Sequence, residues 1–431
     1  MSENGSSAID REFGIWKVTR FYLPLLFQAF SQSVSYPLVA GIVTAGALGV
    51  DALTAFAQGQ QIMFMIGCLG GGLVMTGMVH ARTLSGYLAF RRLNAYMMIA
   101  LLALQALMAF HPFDVWIFTD FLKLPPPLAE VARWTLLTGV VMNGLFFLRN
   151  VPMVVLFNNL ESGKANNATI ARLILTFILA FVFRRMNLVG PKWGLLALTL
   201  GVALEYVLTE LYAIPYVRKM RVGVPNLSWK LAFIQFRFTL PLSFGTCLLA
   251  ASPLAIAAFV GRSENAAIML AIHYVTMGVA NPIGFGALRM QPVSIQFPPE
   301  KKGDLRTLYY SIGAGAVLGI ALLVFSLPGI SNLYFGSYQN VNAEHIWMAR
   351  SAVALYALWP IFLAIRARIE GIAAYRRRPR AVMAGQITYL LSLIAALALT
   401  LSLNTPGYLM SIIAIYFATL CTTAAIYASM K

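Results

Sequence analysis

Acidic residues are scarce. Asp and Glu together number fifteen in a chain of 431, and charged residues of both signs make up 11%, against roughly 25% in an ordinary soluble domain. So little charge excludes a soluble multidomain enzyme. Histidine is equally sparse: His80, His111, His273 and His345 are scattered along the chain, with no paired aspartates beside them. A membrane-embedded hydrolase or transferase needs clustered acids, or His with Asp, so the chain is not read as an enzyme. Cys68, Cys247 and Cys421 lie far apart in apolar runs. That spacing supplies neither a redox pair nor a zinc ligand set, and no metal or other cofactor is expected. Gly67, Gly70, Gly71, Gly72 and Gly77 have no Gly-Lys-Ser/Thr after them and no strand before them. A phosphate loop is thereby excluded, and close helix packing is the expected role. The first fourteen residues hold Glu3, Asp10 and Glu12 and no apolar stretch with a cleavage site. The first hydrophobic helix is therefore expected to direct insertion itself.

What the chain has in abundance is apolar length. Hydrophobic residues make up 59% and the mean hydropathy is +0.75. Because about 20 apolar residues span a bilayer, this length accommodates about a dozen helices. Runs broken by Pro, Gly or charge predict helices at 19–45, 53–80, 94–118, 130–158, 166–186 and 191–217, then at 231–260, 265–296, 304–333, 345–374, 380–403 and 406–429. The expected fold is all-α: a polytopic membrane protein of about 12 transmembrane helices, in two parallel six-helix repeats around a central cavity. Its expected divisions are a short cytoplasmic N-terminus at 1–18, a first bundle at 19–217, a basic linker at 218–230 and a second bundle at 231–431.

Thirty-two Lys and Arg give a net charge of +17, which points to anionic lipid or an anionic substrate and not to nucleic acid. Sorting these residues along the helices places nineteen on one side, among them Arg82, Arg91, Arg92, Lys164, Arg218, Arg221, Lys230, Lys302 and the run Arg376-Arg377-Arg378-Pro379-Arg380, and six on the other. Cytoplasmic loops carry the excess of Lys and Arg, so both termini are expected in the cytoplasm of a plasma membrane, the inner membrane in a bacterium. The Arg376–Arg380 run is expected to touch anionic lipid.

Sliding the chain onto itself by 217 residues reveals an internal repeat. Arg20–Phe27, RFYLPLLF, overlies Arg237–Phe244, RFTLPLSF; Ala132-Arg133 overlies Ala349-Arg350, Arg149 overlies Arg366, and Gly190 overlies Gly407. Six helices per repeat make both halves enter the membrane in the same direction, around an axis along its normal. Two such bundles suit alternating access to a site between them.

Seven arginines and no lysine remain inside the predicted helices: Arg149, Arg172, Arg237, Arg289, Arg350, Arg366 and Arg368. A charge at the bilayer centre costs at least about 2.5–3.5 kcal/mol, so such residues face protein or a wet cavity. Arginine also binds phosphate or carboxylate through two parallel hydrogen bonds. Arg149, Arg289, Arg366, Arg20 and Arg237 are the expected substrate-binding set, lying in the cytoplasmic halves of their helices. Arg172, Arg350 and Arg368 are expected to snorkel near helix ends. Glu205, the deepest acid, is expected either to couple transport to a cation or to pair with an arginine, and His273 to relay protons or bond a neighbouring helix. Pro24 with Pro241, Pro37 with Pro253 and Pro152 with Pro360 are expected inside helices, the first two pairs as hinges. Asn158, Asn159, Asn166 and Asn167 are expected in a cytoplasmic turn.

These features resemble the multidrug/oligosaccharidyl-lipid/polysaccharide (MOP) flippase superfamily, on the LPL motif opening helices one and seven, the duplicated plan and Ala47-Leu48-Gly49 before helix two. Within it the chain is most similar to the progressive ankylosis (ANK) family. The residues are RFYLPL at Arg20–Leu25, SPLAIAAFVGRS at Ser252–Ser263, NPIGFGALRMQP at Asn281–Pro292 and WPIFLAIRARIEG at Trp359–Gly371. The family often carries a basic residue before the proline of helix seven, where this chain has Ser252. The resemblance implies an exporter of polyvalent anions such as pyrophosphate, ATP or citrate, with Arg289 and Arg366 as its matching arginines; the chain is expected to act as a monomer. A flippase or multidrug exporter of the same superfamily is the alternative; a cation exporter would be expected to carry a carboxylate in helix one, which has none.

Overall fold

The computed structural model describes residues 11–220, 229–301, 303–339 and 341–431. Glu3, Asp10, Arg221, Lys302 and the centre of the basic linker lie outside the described residues. The described elements are helical. The first bundle comprises α1 (Ile15–Thr44), α2 (Gly49–His80, broken after Cys68), α3 (Leu84–Met108), α4 (Pro126–Asn158), α5 (Ser162–Arg185) and α6 (Pro191–Arg218). The second comprises α7 (Trp229–Val260, broken at Ala251), α8 (Ala266–Gln296, broken at Arg289), α9 (Arg306–Phe325), α10 (Ala343–Tyr375), α11 (Pro379–Ser402) and α12 (Gly407–Met430).

Eleven of these twelve are long and apolar enough to cross a membrane. The remaining one, α1, has 30 residues, ample for a span at about 1.5 Å per residue. Its lower hydropathy comes from Gln28, Ser31, Ser33 and Ser35, the kind of polar face a membrane helix turns toward protein or water. Gln28 and Ser31 are indeed buried.

The repeat persists in the backbone. Asn187 and Asn404, 217 residues apart, both adopt left-handed φ values, 57° and 51°, just past the ends of α5 and α11, a position that asparagine tolerates. The breaks in α2 and α8 also coincide, since Gly72 and Arg289 share that offset. At the α2 break a Cβ on Gly72 would stand 2.7 Å from Leu242 Cβ and 2.8 Å from Thr239 O, so glycine is what lets α2 approach α7.

Several expectations need correction. The third helix, expected at 94–118, runs from Leu84 to Met108. Thr83 caps it by accepting from Gly86 N, and Arg91 and Arg92 occupy its early turns, where long side chains reach the membrane surface. Pro253 and Pro360 open the second segments of α7 and α10 and are not in helix interiors. Lacking an N–H, proline fits a first turn without losing a bond. Pro24, Pro37, Pro152 and Pro241 do lie inside helices. Of the two hinge pairs, Pro37 and Pro253 are thus inequivalent, because α1 is unbroken where α7 restarts. Asn158 is not a turn residue either: it is buried at the end of α4, and its Nδ2 donates to Gly77 O and Ala81 O, each at 3.3 Å. Asn166 and Asn167 fall within α5.

The side-chain hydrogen bonds joining the bundles lie, among the described residues, at the end of the molecule where α1 begins and at mid-depth. This end holds Arg82, Lys164, Arg218, Lys301 and Arg376–Arg380 and is called the basic end below. There Gln296 Nε2 donates to Asn158 Oδ1 at 2.9 Å, Arg82 to Ile295 O at 3.2 Å and Gln235 to Gly86 O at 3.0 Å, while the Thr76 and Thr239 hydroxyls meet at 2.7 Å. Phe21 and Phe297 pack edge to face between them. Near mid-depth the seam ends at Cys247, whose Sγ is 4.0 Å from Met65 O. Toward the opposite end no described side chain hydrogen-bonds from one bundle to the other.

Candidate functional site

Each bundle buries an arginine on a carboxylate. In the first, Arg149 Nη1 on α4 lies 2.7 Å from Glu205 Oε2 on α6, and Arg172 Nη1 on α5 lies 3.3 Å from the same oxygen. Thr169 donates its hydroxyl to Glu205 Oε1 at 2.5 Å, and Gln28 of α1 donates to the Thr169 hydroxyl at 3.1 Å. Arg172 also donates to Ser35 of α1 at 3.3 Å. Glu205 is wholly buried, so these cations are what keep its charge tolerable away from water. With two guanidinium groups on one carboxylate, the cluster keeps a net charge of +1.

In the second bundle, Arg366 Nε lies 2.9 Å from Glu370 Oε1, one turn along α10. Gln386 of α11 joins both groups: its Oε1 accepts from Arg366 at 2.7 Å and its Nε2 donates to Glu370 at 2.8 Å. Gln291 of α8 donates to the other carboxylate oxygen at 3.1 Å. This cluster is neutral and closed within its own bundle.

The two clusters are repeat-related. Arg149 corresponds to Arg366, Thr169 to Gln386 and Arg172 to Tyr389, all at the 217-residue offset. Each of the paired arginines also has its guanidinium 4.8 Å from a ring centroid, Phe146 for Arg149 and Tyr389 for Arg366. The carboxylates do not correspond: Thr422 stands opposite Glu205 in the repeat, and Met153 opposite Glu370.

Arg289 is different. It occupies the break in α8, its Nε is buried without a partner, and no described side chain forms an ion pair or hydrogen bond with it. It sits within electrostatic reach of Arg149 from the opposite bundle and of Tyr22 on α1. Tyr22 crosses the seam to donate to Gly286 O at 3.0 Å. Counting from the basic-end termini of their helices, Arg289 and Arg149 lie about 10 and 14 Å deep at the helical rise. They belong to opposite bundles, at depths that the seam contacts from Thr76–Thr239 to Cys247–Met65 span. An unpaired cation held at depth is costly, and Arg149, which bears on it electrostatically, belongs to a cluster that is itself cationic. Together Arg289 and the Arg149–Glu205–Arg172 cluster carry two uncompensated positive charges.

The remaining candidates are not gathered here. Arg20 and Arg237 are exposed near the basic end, on α1 and α7. His273 Nδ1 lies 3.1 Å from the Ser411 hydroxyl of α12, inside the second bundle. Arg368 is buried and donates to Thr307 at 2.8 Å, and Arg350 is half-buried on α10. Arg172 was expected to snorkel because its helix was expected to start at 166. The helix starts at Ser162, which sets Arg172 nearly three turns deep. Tyr22 was missed; its position two residues after the repeated Arg20, opposite Thr239, is the signal that could have found it. Among the described residues no three His, Cys, Asp or Glu side chains converge as a metal-ligand set would.

No protein-family model matches the chain, and no curated protein matches it. Solved structures do. A mutant of a MATE transporter is similar with a TM-score of 0.75 at 15% identity, covering 99% of this chain and 98% of that one. A MOP superfamily transporter from Pyrococcus furiosus, described as having a binding pocket whose reversed polarity suggests a different function, is similar at 0.74 and 16% identity over 100% of both chains. An outward-facing multidrug resistance MATE transporter of the MOP superfamily is similar at 0.72 and 14% identity over 99% and 98%. The chain thus has the MATE transporter fold, of about twelve membrane helices.

Proposed function

We propose that this chain is a secondary transporter of the MOP superfamily, of the progressive ankylosis type, that exports a polyvalent organic or phosphorylated anion by alternating access. The observation that carries the reading is Arg289, a half-buried cation whose buried Nε has no partner among the described residues, within electrostatic reach of Arg149 in the opposite bundle. Anions are the chemistry that two such guanidinium groups recognise. The fold supports transport, and the reversed pocket polarity described for the Pyrococcus transporter makes polarity a guide to substrate class within this fold. Multidrug exporters and flippases share the superfamily; a cationic drug fits the charge less well, whereas a lipid-linked pyrophosphate carries negative charge and fits it too. The two buried carboxylates, Glu205 and Glu370, are both engaged by arginine, which leaves neither free for a cationic drug.

In this reading Arg289 and Arg149 bind substrate, Tyr22 orients α1 against α8, and Glu205 holds Arg149 until an anion competes for it. Arg366 belongs to the scaffold of the second bundle. The basic end faces the cytoplasm, with both termini there, in the plasma membrane. The state described is closed to the cytoplasm, and the contacts from Gln296 to Asn158 and from Thr76 to Thr239 must part for the site to load. The functional unit is the single chain.

Counterflow of labelled pyrophosphate, ATP and citrate in proteoliposomes, beside a cationic dye, tests this. Saturable movement of at least one anion, lost in Arg289→Gln, is expected. Movement of the dye alone would place the chain with the drug exporters.

A further inference from the structure

A second cationic feature lies away from the seam site. At the basic end, a recess of about 520 Å³ opens between the start of α7, the end of α2, the α10–α11 turn and the end of α12. Arg237, Arg377, Arg378 and Arg380 line it with no acidic residue, and Ile234 and Phe238 form its apolar wall. We propose that this recess binds a phosphate group, presented by the headgroup of an anionic phospholipid. The proposal is independent of the substrate reading above.

Four observations support a built site over a scatter of surface charge. The α10–α11 turn places Arg377 at φ 57°, the left-handed position past a helix end that usually falls to glycine. An arginine there keeps its charge at a conformational cost. Arg378 donates to Met430 O, which pins the turn against the end of α12. Behind them α11 begins with Pro379, has no side-chain cap and carries no acid in its first turn. Its amino-terminal dipole therefore adds to the positive potential in the recess. From the other bundle, His80 edges against Phe238 and reaches the recess with a buried Nε2 that has no partner. The imidazole thus lines the recess from the first bundle.

The apolar side distinguishes a lipid from a soluble ion. Phe233 and Ile234, 59% and 53% exposed, continue along the membrane face of α7. A headgroup held by the arginines would lay its acyl chains on these residues. Because the recess takes His80 from one bundle and its arginines from the other, a lipid seated there bridges the bundles at the end that is closed in this state.

The test is lipid retention by the purified full-length chain in detergent, read by native mass spectrometry and by thermal stability. The probes are phosphatidylglycerol, phosphatidylcholine and inorganic pyrophosphate. Phosphatidylglycerol should bind saturably and phosphatidylcholine should not. The triple variant Arg237→Gln, Arg377→Gln, Arg380→Gln should bind it about a hundredfold more weakly, at about fivefold per arginine near a membrane surface. A control that neutralises Arg91, Arg92 and Arg218 at the same end should bind as the wild type does. Arg377→Gly separates binding from folding: relief of the left-handed arginine should leave the chain at least as stable while lipid binding falls. Displacement of the lipid by pyrophosphate would assign the phosphate site to a soluble anion as well, and lipid retention against pyrophosphate would assign it to lipid alone. Equal binding by the triple variant and wild type, or an equal loss in the control, would overturn the proposal.

Discussion

Arg289 stands at the break of α8 where, 217 residues earlier, Gly72 stands at the break of α2. The same backbone feature therefore serves two purposes. At Gly72 the missing side chain lets α7 pack against α2 at the seam, and Gly72 N donates to the Ser243 hydroxyl at 3.3 Å. At Arg289 the equivalent site carries a guanidinium whose Nε is buried without a partner, so the duplication is asymmetric at this break.

Replacing Gly72 by alanine should damage the seam directly. The new Cβ meets α7 backbone and the Leu242 side chain below 3.0 Å, so the helices must separate, at about 1–3 kcal/mol for an overpacked site. A lower melting temperature is expected, together with faster labelling of a cysteine placed at the basic-end seam. An unchanged melting temperature would show that α7 yields without cost.

Glu205→Gln should destabilise the first bundle more than Arg149→Gln does. It leaves Arg149 and Arg172 buried against a neutral group, whereas the loss of Arg149 still leaves Glu205 with Arg172. Breaking a buried pair costs about 3–5 kcal/mol. Thermal melts of both single variants and of the double variant check the order, with the double partly restored.

Arg366→Gln and Glu370→Gln should behave as stability variants. Both groups are satisfied within the second bundle by each other and by Gln386. Whatever anion transport remains in Arg366→Gln should track the folded fraction, with the affinity for the anion unchanged. A selective loss of affinity in a fully folded Arg366→Gln protein would place Arg366 in the binding site.

The seam at the basic end should have to open during turnover. Thr76 and Thr239 touch through hydroxyls at 2.7 Å across the bundles, so paired cysteines at these positions, in a chain with Cys68, Cys247 and Cys421 replaced, should cross-link readily. The cross-linked protein should not transport, and reduction should restore it. Transport by a fully cross-linked protein would exclude the proposed motion.

The helix count and the duplication were legible because hydropathy and charge are properties of single residues; which arginines lie deep was not, since Arg172 and Arg368 are buried and Arg20 and Arg237 are exposed. Which arginine is free was not legible. Arg149, Arg289 and Arg366 look alike in sequence, and they differ only through carboxylates that packing brings in. Glu205 comes from a helix two spans on, whereas Glu370 lies one turn from Arg366 and could have been read as a helical pair. The breaks at Pro253 and Pro360 were missed because a proline in an apolar run reads equally as a kink or as a new start.

The central claim is an anion held between Arg289 and Arg149. Calorimetric titration of the purified chain with pyrophosphate and with citrate, for the wild type and Arg289→Gln, tests it most directly. Saturable binding of at least one of them by the wild type is expected, weakened about 10- to 100-fold in the variant by the loss of charge-assisted hydrogen bonds. The melting temperature should be no lower, because Arg289 has no described partner to lose. Equal affinity in the two proteins, or no anion binding by a wild-type chain that binds a cationic drug, would contradict it.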